Sequence, residues 1–159
     1  MKLLVPIDGS DESEKALNYA VKLQQQLLPG IEKKIIVITV VPHFHIPSNI
    51  ERLGKMQNSE IISISERIEE LNDSIRLSWV EELNSIKRKY EPYDLELSTE
   101  IISGSDSIYN AIISLSDREN VDIIVIGNIG LGSTSKNKSL GSISRNISEL
   151  AHCNVLIIR

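Results

Sequence analysis

Val121-Asp122-Ile123-Ile124-Val125-Ile126 is an almost unbroken β-branched run that stops at Gly127-Asn128-Ile129-Gly130. A run of that kind is the pattern of a strand buried on both faces, which belongs to a parallel sheet covered by helices on each side. Downstream, a Gly/Ser/Lys loop leads to Gly141-Ser142, where Ile143, Ile147, Leu150 and Ala151 set the spacing of a helix. Val155 to Ile158 reads as a last strand. Upstream, Ile108, Ala111, Ile112 and Leu115 mark a helix after the turn Ser103-Gly104-Ser105-Asp106. Before that turn, Leu95, Leu97, Thr99 and Ile101 alternate with polar residues, as in a less buried strand.

The same alternation of elements reaches back to the N-terminus. Lys2 to Ile7 and Ile35 to Val41 are two more apolar runs, closed by Asp8-Gly9-Ser10 and by Pro42. Between them Ala16, Leu17, Ala20, Val21, Leu23 and Leu27 lie on one helix face. Ser10 or Asp11 is placed to cap that helix, with Glu14 completing a capping box on Asp11, and Pro29-Gly30 ends it. Ile61, Ile64, Ile68, Leu71, Ile75, Trp79, Leu83, Ile86 and Tyr90 step by three and four, which predicts one long amphipathic helix stopped by Pro92. The order β-α-β-α-β-α-β-α-β implies an α/β fold: an open five-stranded parallel sheet with helices on both faces. With no linker, low-complexity tract or repeat, residues 1–159 read as a single domain.

Bulk composition removes several function classes. A formal net charge of −5 and an aromatic content of 4% leave no basic, stacking surface for nucleic acid and no field toward anionic lipid. No stretch approaches the roughly twenty apolar residues that cross a bilayer. The N-terminal apolar run is too short for a signal-peptide core, and Cys153 is alone, so the expected location is cytoplasmic and no internal disulfide is expected.

In an open parallel sheet a ligand sits beyond the carboxyl ends of the strands, near a topological switch point. Asp8-Gly9-Ser10, Val40-Val41-Pro42 and Gly127-Asn128-Ile129-Gly130 stand at three such ends. The loop from Gly127 to Ser142 carries Gly127, Gly130, Gly132 and Gly141. Glycine lets backbone amides approach an anion and tolerates positive φ, and the helix starting at Ser142 offers free amides and a favourable dipole. Lys136, Lys138 and Arg145 either neutralise phosphate or are solvated surface cations. Gly127 and Gly132 have P-loop spacing, but Ser133-Thr134 stands where lysine is required; Gly130-Leu131-Gly132 is a dinucleotide-fingerprint fragment after the wrong strand.

Val5-Pro6-Ile7-Asp8-Gly9-Ser10, the segment Glu100 to Ile112 with Gly104 followed by a helix, the set Gly127-x-x-Gly130…Gly141-Ser142 and the close Leu150-Ala151-His152-Cys153-Asn154-Val155-Leu156-Ile157-Ile158 together resemble the universal stress proteins, and of these the glycine set resembles their ATP-binding branch. Ten residues rather than the family's nine separate Gly130 from Gly141, and Asn154 stands where proline is usual. The resemblance implies an adenine nucleotide alpha hydrolase-like, Rossmann-like sheet and an adenine nucleotide ligand, ATP or AMP, with or without Mg2+. Carried over, it places Pro6, Ile7 and Asp8 at the adenosine end and the backbone of Val40 or Val41 at adenine. Gly127 comes under the ribose, and Gly130, Gly141, Ser142 and Ile143 at the phosphates. It also implies a homodimer through Val155–Ile158, and a stress-response or regulatory role.

Other residues read more plainly. His43 and His45 alternate in a loop without acidic or cysteine partners, so a metal site is the weaker reading. Cys153 enters a buried strand as a packed thiol, and Trp79 belongs to helix packing. No general base or activated nucleophile is evident, so a non-enzyme is expected. The alternatives are a dimeric branch of the family that binds no nucleotide, and an ATP-cleaving enzyme of the related hydrolase superfamily. Asp8-Gly9-Ser10-Asp11-Glu12-Ser13 keeps only Gly9 and Ser13 of that enzyme motif.

Overall fold

The structure is a computed structural model describing residues 1–46, 58–104, 107–131 and 140–159. Five strands, β1 (Lys2–Pro6), β2 (Lys34–Val41), β3 (Glu96–Ser103), β4 (Ile123–Gly127) and β5 (Asn154–Ile158), form one sheet in the order β3-β2-β1-β4-β5. Every pairing is parallel. The described helices are α1 (Asp11–Gln25), α2 (Asn58–Tyr90), α3 (Ile108–Arg118) and α4 (Ser142–Leu150). The expected α/β architecture with helices on both faces is therefore the one observed. None of these helices is long and apolar enough to cross a membrane, among the described residues.

The runs that lack alternation in sequence acquire it in space. Leu3, Val5, Ile35 and Val37 face α1 and α2, where Ala16, Leu17, Ala20, Val21, Leu83 and Tyr90 complete one core. Leu4, Ile36, Ile38, Ile124 and Ile126 face α3 and α4, packing on Ile112, Leu115 and Ile147. Both faces are dry because a crossover helix covers each, so no polar residue is needed at alternate positions.

Three local expectations are corrected. The cap of α1 is Ser10, whose hydroxyl accepts from the Ser13 amide at 3.2 Å; Glu14 forms no capping box and instead pairs with Lys89 at the end of α2, at 2.8 Å. That helix also ends at Gln25, before Pro29-Gly30. It buries Gln24 completely, with Nε2 donating to the Met1 and Lys34 carbonyls at 2.8 and 3.2 Å. Third, the apolar stripe of α2 is buried only toward its C-terminal end. Leu83 and Tyr90 are buried and Trp79 and Ile86 pack against them, whereas Ile64 and Leu71 are exposed. Length explains this: 33 residues of helix span roughly 50 Å, while an eight-residue strand covers about 26 Å. Before it reaches the sheet, α2 is clasped by Asn72, whose amide Oδ1 accepts from the Phe44 N–H at 3.0 Å and whose Nδ2 donates to the Phe44 carbonyl at 2.9 Å.

The strand ends create the opening that matters. Pairing of β1 with β4 covers Leu3–Ile123 and Leu4–Ile124 and goes no further, while β1 stays paired with β2 up to Pro6–Ile38. Pro6 brings no amide hydrogen with which to continue a ladder. The two central strands part above that point, and this is where the chain reverses its direction of winding across the sheet.

Candidate functional site

Between the parted ends of β1 and β4, on the side of α3 and α4, lies a cleft of about 480 Å³. Nine of the ten residues expected at the site line it: Pro6, Ile7, Asp8, Val40, Gly127, Gly130, Gly141, Ser142 and Ile143. Val41 does not. It is buried at 4% exposure, and neighbouring strand residues point to opposite faces, so only one of the valine pair can meet the cleft. Sequence reasoning missed Ser13, Ile108, Ile112, Ile126, Ile129, Leu131 and Ser144, which complete the wall. Ile108 and Ile112 had a signal, the apolar stripe of α3, but a stripe does not say that one end of it faces a cavity.

Asp8 is the charged side chain at the base of the cleft. Its Oδ1 accepts from the Ser10 hydroxyl at 2.5 Å and the Ser10 amide at 3.1 Å, and its Oδ2 accepts from the Leu131 amide at 3.0 Å. Burial pushes the carboxyl up, but the Ser10 hydroxyl and the Leu131 and Ser10 amides outweigh it and hold it below the ordinary aspartate value. Asp8 is thus an ionised strut tying the loop after β4 to the turn after β1. Gly9 makes that turn possible, with φ at +83°, in the left-handed region that favours glycine.

The described loop glycines do not use the positive φ open to them, and close packing requires them. Gly127, Gly130 and Gly141 are not among the positive-φ residues. They are small because the protein itself comes close. A Cβ on Gly127 would lie 2.9 Å from the Glu12 backbone, one on Gly141 would lie 3.2 Å from the Asn128 carbonyl oxygen, and one on Gly130 would collide with the Asp8 carboxylate. Absence of a side chain lets β4, the first turn of α1 and the start of α4 crowd around one cavity.

The start of α4 is held by the Gly141 amide donating to the Asn128 carbonyl at 2.8 Å and by the buried Ser144 hydroxyl donating to the Gly127 carbonyl at 2.7 Å. Its N-cap is Gly141, which supplies no side-chain hydrogen bond. In α1 and α3 the caps are Ser10 and Ser107, each accepting from an amide of its own first turn. The amides at the start of α4 therefore open onto the cleft without a described side chain to satisfy them, the arrangement in which a helix N-terminus takes an anion. Arg145 turns back to the Leu140 carbonyl at 3.3 Å and does not line the cavity. Lys136 and Lys138 lie outside the described residues. His43 and His45 are exposed on the loop after β2, and among the described residues no three His, Cys, Asp or Glu side chains converge as a metal-binding group.

Comparison of sequence and of fold sets this chain beside universal stress proteins. The universal stress protein YxiE of Bacillus subtilis is 27% identical, covering 99% of this chain and 98% of its own. A universal stress protein of Methanocaldococcus jannaschii is 26% identical over 99% of this chain and 81% of its own. Among solved structures, the universal stress protein UspA of Lactobacillus plantarum superposes with a TM-score of 0.77, at 22% identity, covering 100% of this chain and 97% of that one. Two further universal stress proteins superpose at a TM-score of 0.56 and were solved with ligands. One is from Archaeoglobus fulgidus with dAMP (21% identical, covering 100% and 98%), the other is in complex with cAMP (18% identical, covering 100% and 97%). Residues 1–159, the whole chain, match the Universal stress protein family; the chain belongs to that family.

Proposed function

We propose that the cleft binds an adenine nucleotide, ATP or AMP, and that the protein is a cytoplasmic stress-response or regulatory protein that holds its ligand without rapid turnover. The observation that carries this reading is the uncapped start of α4, Gly141 to Ser144, opening onto an apolar slot beside Asp8. The slot suits a flat, largely apolar base between Val40 and the isoleucines of α3, and amides that no described side chain satisfies suit phosphate. Relatives solved with dAMP and with cAMP support the choice of adenine. A Mg2+ ion, if it accompanies ATP, would be held chiefly by the phosphates, with the Ser142 hydroxyl at hand. Slow turnover is favoured because the Asp8 carboxylate, already accepting from Ser10 and Leu131, is poorly placed to take a proton from water.

The outer edge of β5 is unpaired in the sheet, and Val155, Leu156, Ile157 and Ile158 along it are half-buried. Pairing of two copies there, into a homodimer, would remove an apolar edge that otherwise invites non-specific association.

Equilibrium titration of the purified protein with a fluorescent ATP analogue, competed by ATP, AMP and GTP, tests the reading. Saturable binding displaced by ATP or AMP and not by GTP is expected. An absence of binding at millimolar nucleotide would favour the dimeric, ligand-free alternative, to which the longer Gly130–Gly141 spacing lends weight.

A further inference from the structure

Serine inside a helix usually bonds back to a carbonyl of its own helix. Ser148 does so, donating to the Arg145 carbonyl at 2.8 Å, and Ser116 does so toward Ile113 at 2.8 Å. Ser144 is different. Its hydroxyl leaves α4 and donates to the carbonyl of Gly127, the last residue of β4, while the side chain is buried at 4% exposure beside the cleft. The Gly141 amide makes a second bond across the same junction, to Asn128. One bond alone would let the helix pivot about it. Two, a turn apart on the helix and on adjacent residues at the end of the strand, fix both the place and the direction of its first turn.

We propose that Ser144 is a positioning residue for anion recognition: by anchoring α4 to the Gly127 carbonyl it aims the amides of that helix's first turn into the cleft. This rests on the nucleotide reading above and adds to it a division of labour. The apolar slot holds the base whether or not the anchor is present, whereas the phosphates need it. Loss of the hydroxyl therefore penalises phosphate-bearing ligands and spares the nucleoside.

Calorimetric titration with ATP and with adenosine, on the wild type and on Ser144→Ala, Ser144→Thr and Ser148→Ala, tests this. Ser144→Ala should weaken ATP on the order of tenfold, the usual consequence of losing one buried hydrogen bond, and change adenosine by less than about twofold. Ser144→Thr keeps a hydroxyl and should retain most ATP affinity, and Ser148→Ala should match the wild type. Equal weakening of both ligands, or no change in either, would overturn the proposal while leaving nucleotide binding intact. A wild type that binds neither ligand would overturn the nucleotide reading and this inference together. Should Ser144→Ala fail to fold, Ser144→Thr against Ser144→Val poses the same question with the side-chain volume kept.

Discussion

Two helices begin at the parted strands, and they begin differently. The first turn of α1 follows β1 and is complete in itself: Ser10 caps it, and Asp11, Glu12 and Glu14 put negative charge against its dipole. The first turn of α4 follows β4 and has neither feature, with a glycine cap and no acidic residue. The two turns are neighbours, since Gly127 lies close enough to the Glu12 backbone to exclude even a methyl group. Side by side, they separate helix starts that stabilise the fold from those kept available for something else. Where the chain supplies its own acceptor, the amides are structural; where no described side chain does so next to a cavity, they are available to the anion proposed above.

The sharpest way to break the contrast is to make α4 resemble α1. Ser142→Asp places a carboxylate in the uncapped first turn. It should stabilise the unliganded protein by about 0.3–1 kcal/mol through the helix dipole, visible as a raised midpoint in thermal denaturation. It should also weaken ATP by roughly a hundredfold, because the carboxylate occupies the anion's place and repels it. A variant that is both stabilised and still binds ATP normally would remove α4 from the site.

The opposite change is smaller. Ser10→Ala deprives α1 of its cap and Asp8 of its closest partner, costing about 1–2 kcal/mol of stability. Chemical denaturation would report it, and an unchanged midpoint would mean that Ser10 is not the cap that matters. Smallest is the acid limb. The folded-state pKa of Asp8 lies below the ordinary value of 3.8, so the stability it contributes is fully present above that value and is lost as pH falls through the folded pKa. Asp8→Asn should flatten the stability profile below pH 3.8 and nowhere else. A wild-type profile already flat there would contradict the strut.

Much of this was legible in the residues alone, for a physical reason. Strands buried on both faces, such as Ile35–Val41, leave continuous apolar runs that no loop imitates, and the breaks at Asp8-Gly9, Pro42 and Gly127 mark where they end. Nine of the cleft residues followed from the resemblance to the universal stress proteins. What escaped were facts that depend on a neighbour. Val40 and Val41 are chemically identical, and only the strand's phase decides which meets the cleft. Ser144 is one serine of several, distinguished by where its hydroxyl goes. The glycines were correctly placed, but the crowding of Asp8 and Glu12 that requires them is tertiary and leaves no mark in the sequence. Gln24 lies four residues beyond Ala20 on the buried face, so its position was available, but its polar side chain argued against burial. The stripe of α2 announced a helix without saying how far the sheet beneath it extends.

The chain has a single tryptophan, and Trp79 leans over the turn after β1, its Cη2 atom 3.8 Å from where a Cβ of Gly9 would stand. Leu131, whose amide is bonded to Asp8, approaches the same point to within 4.0 Å. The molecule's entire indole emission thus originates beside the residue that braces the cleft. Emission excited at the red edge of the indole band, where the four tyrosines hardly absorb, accordingly reads this one corner.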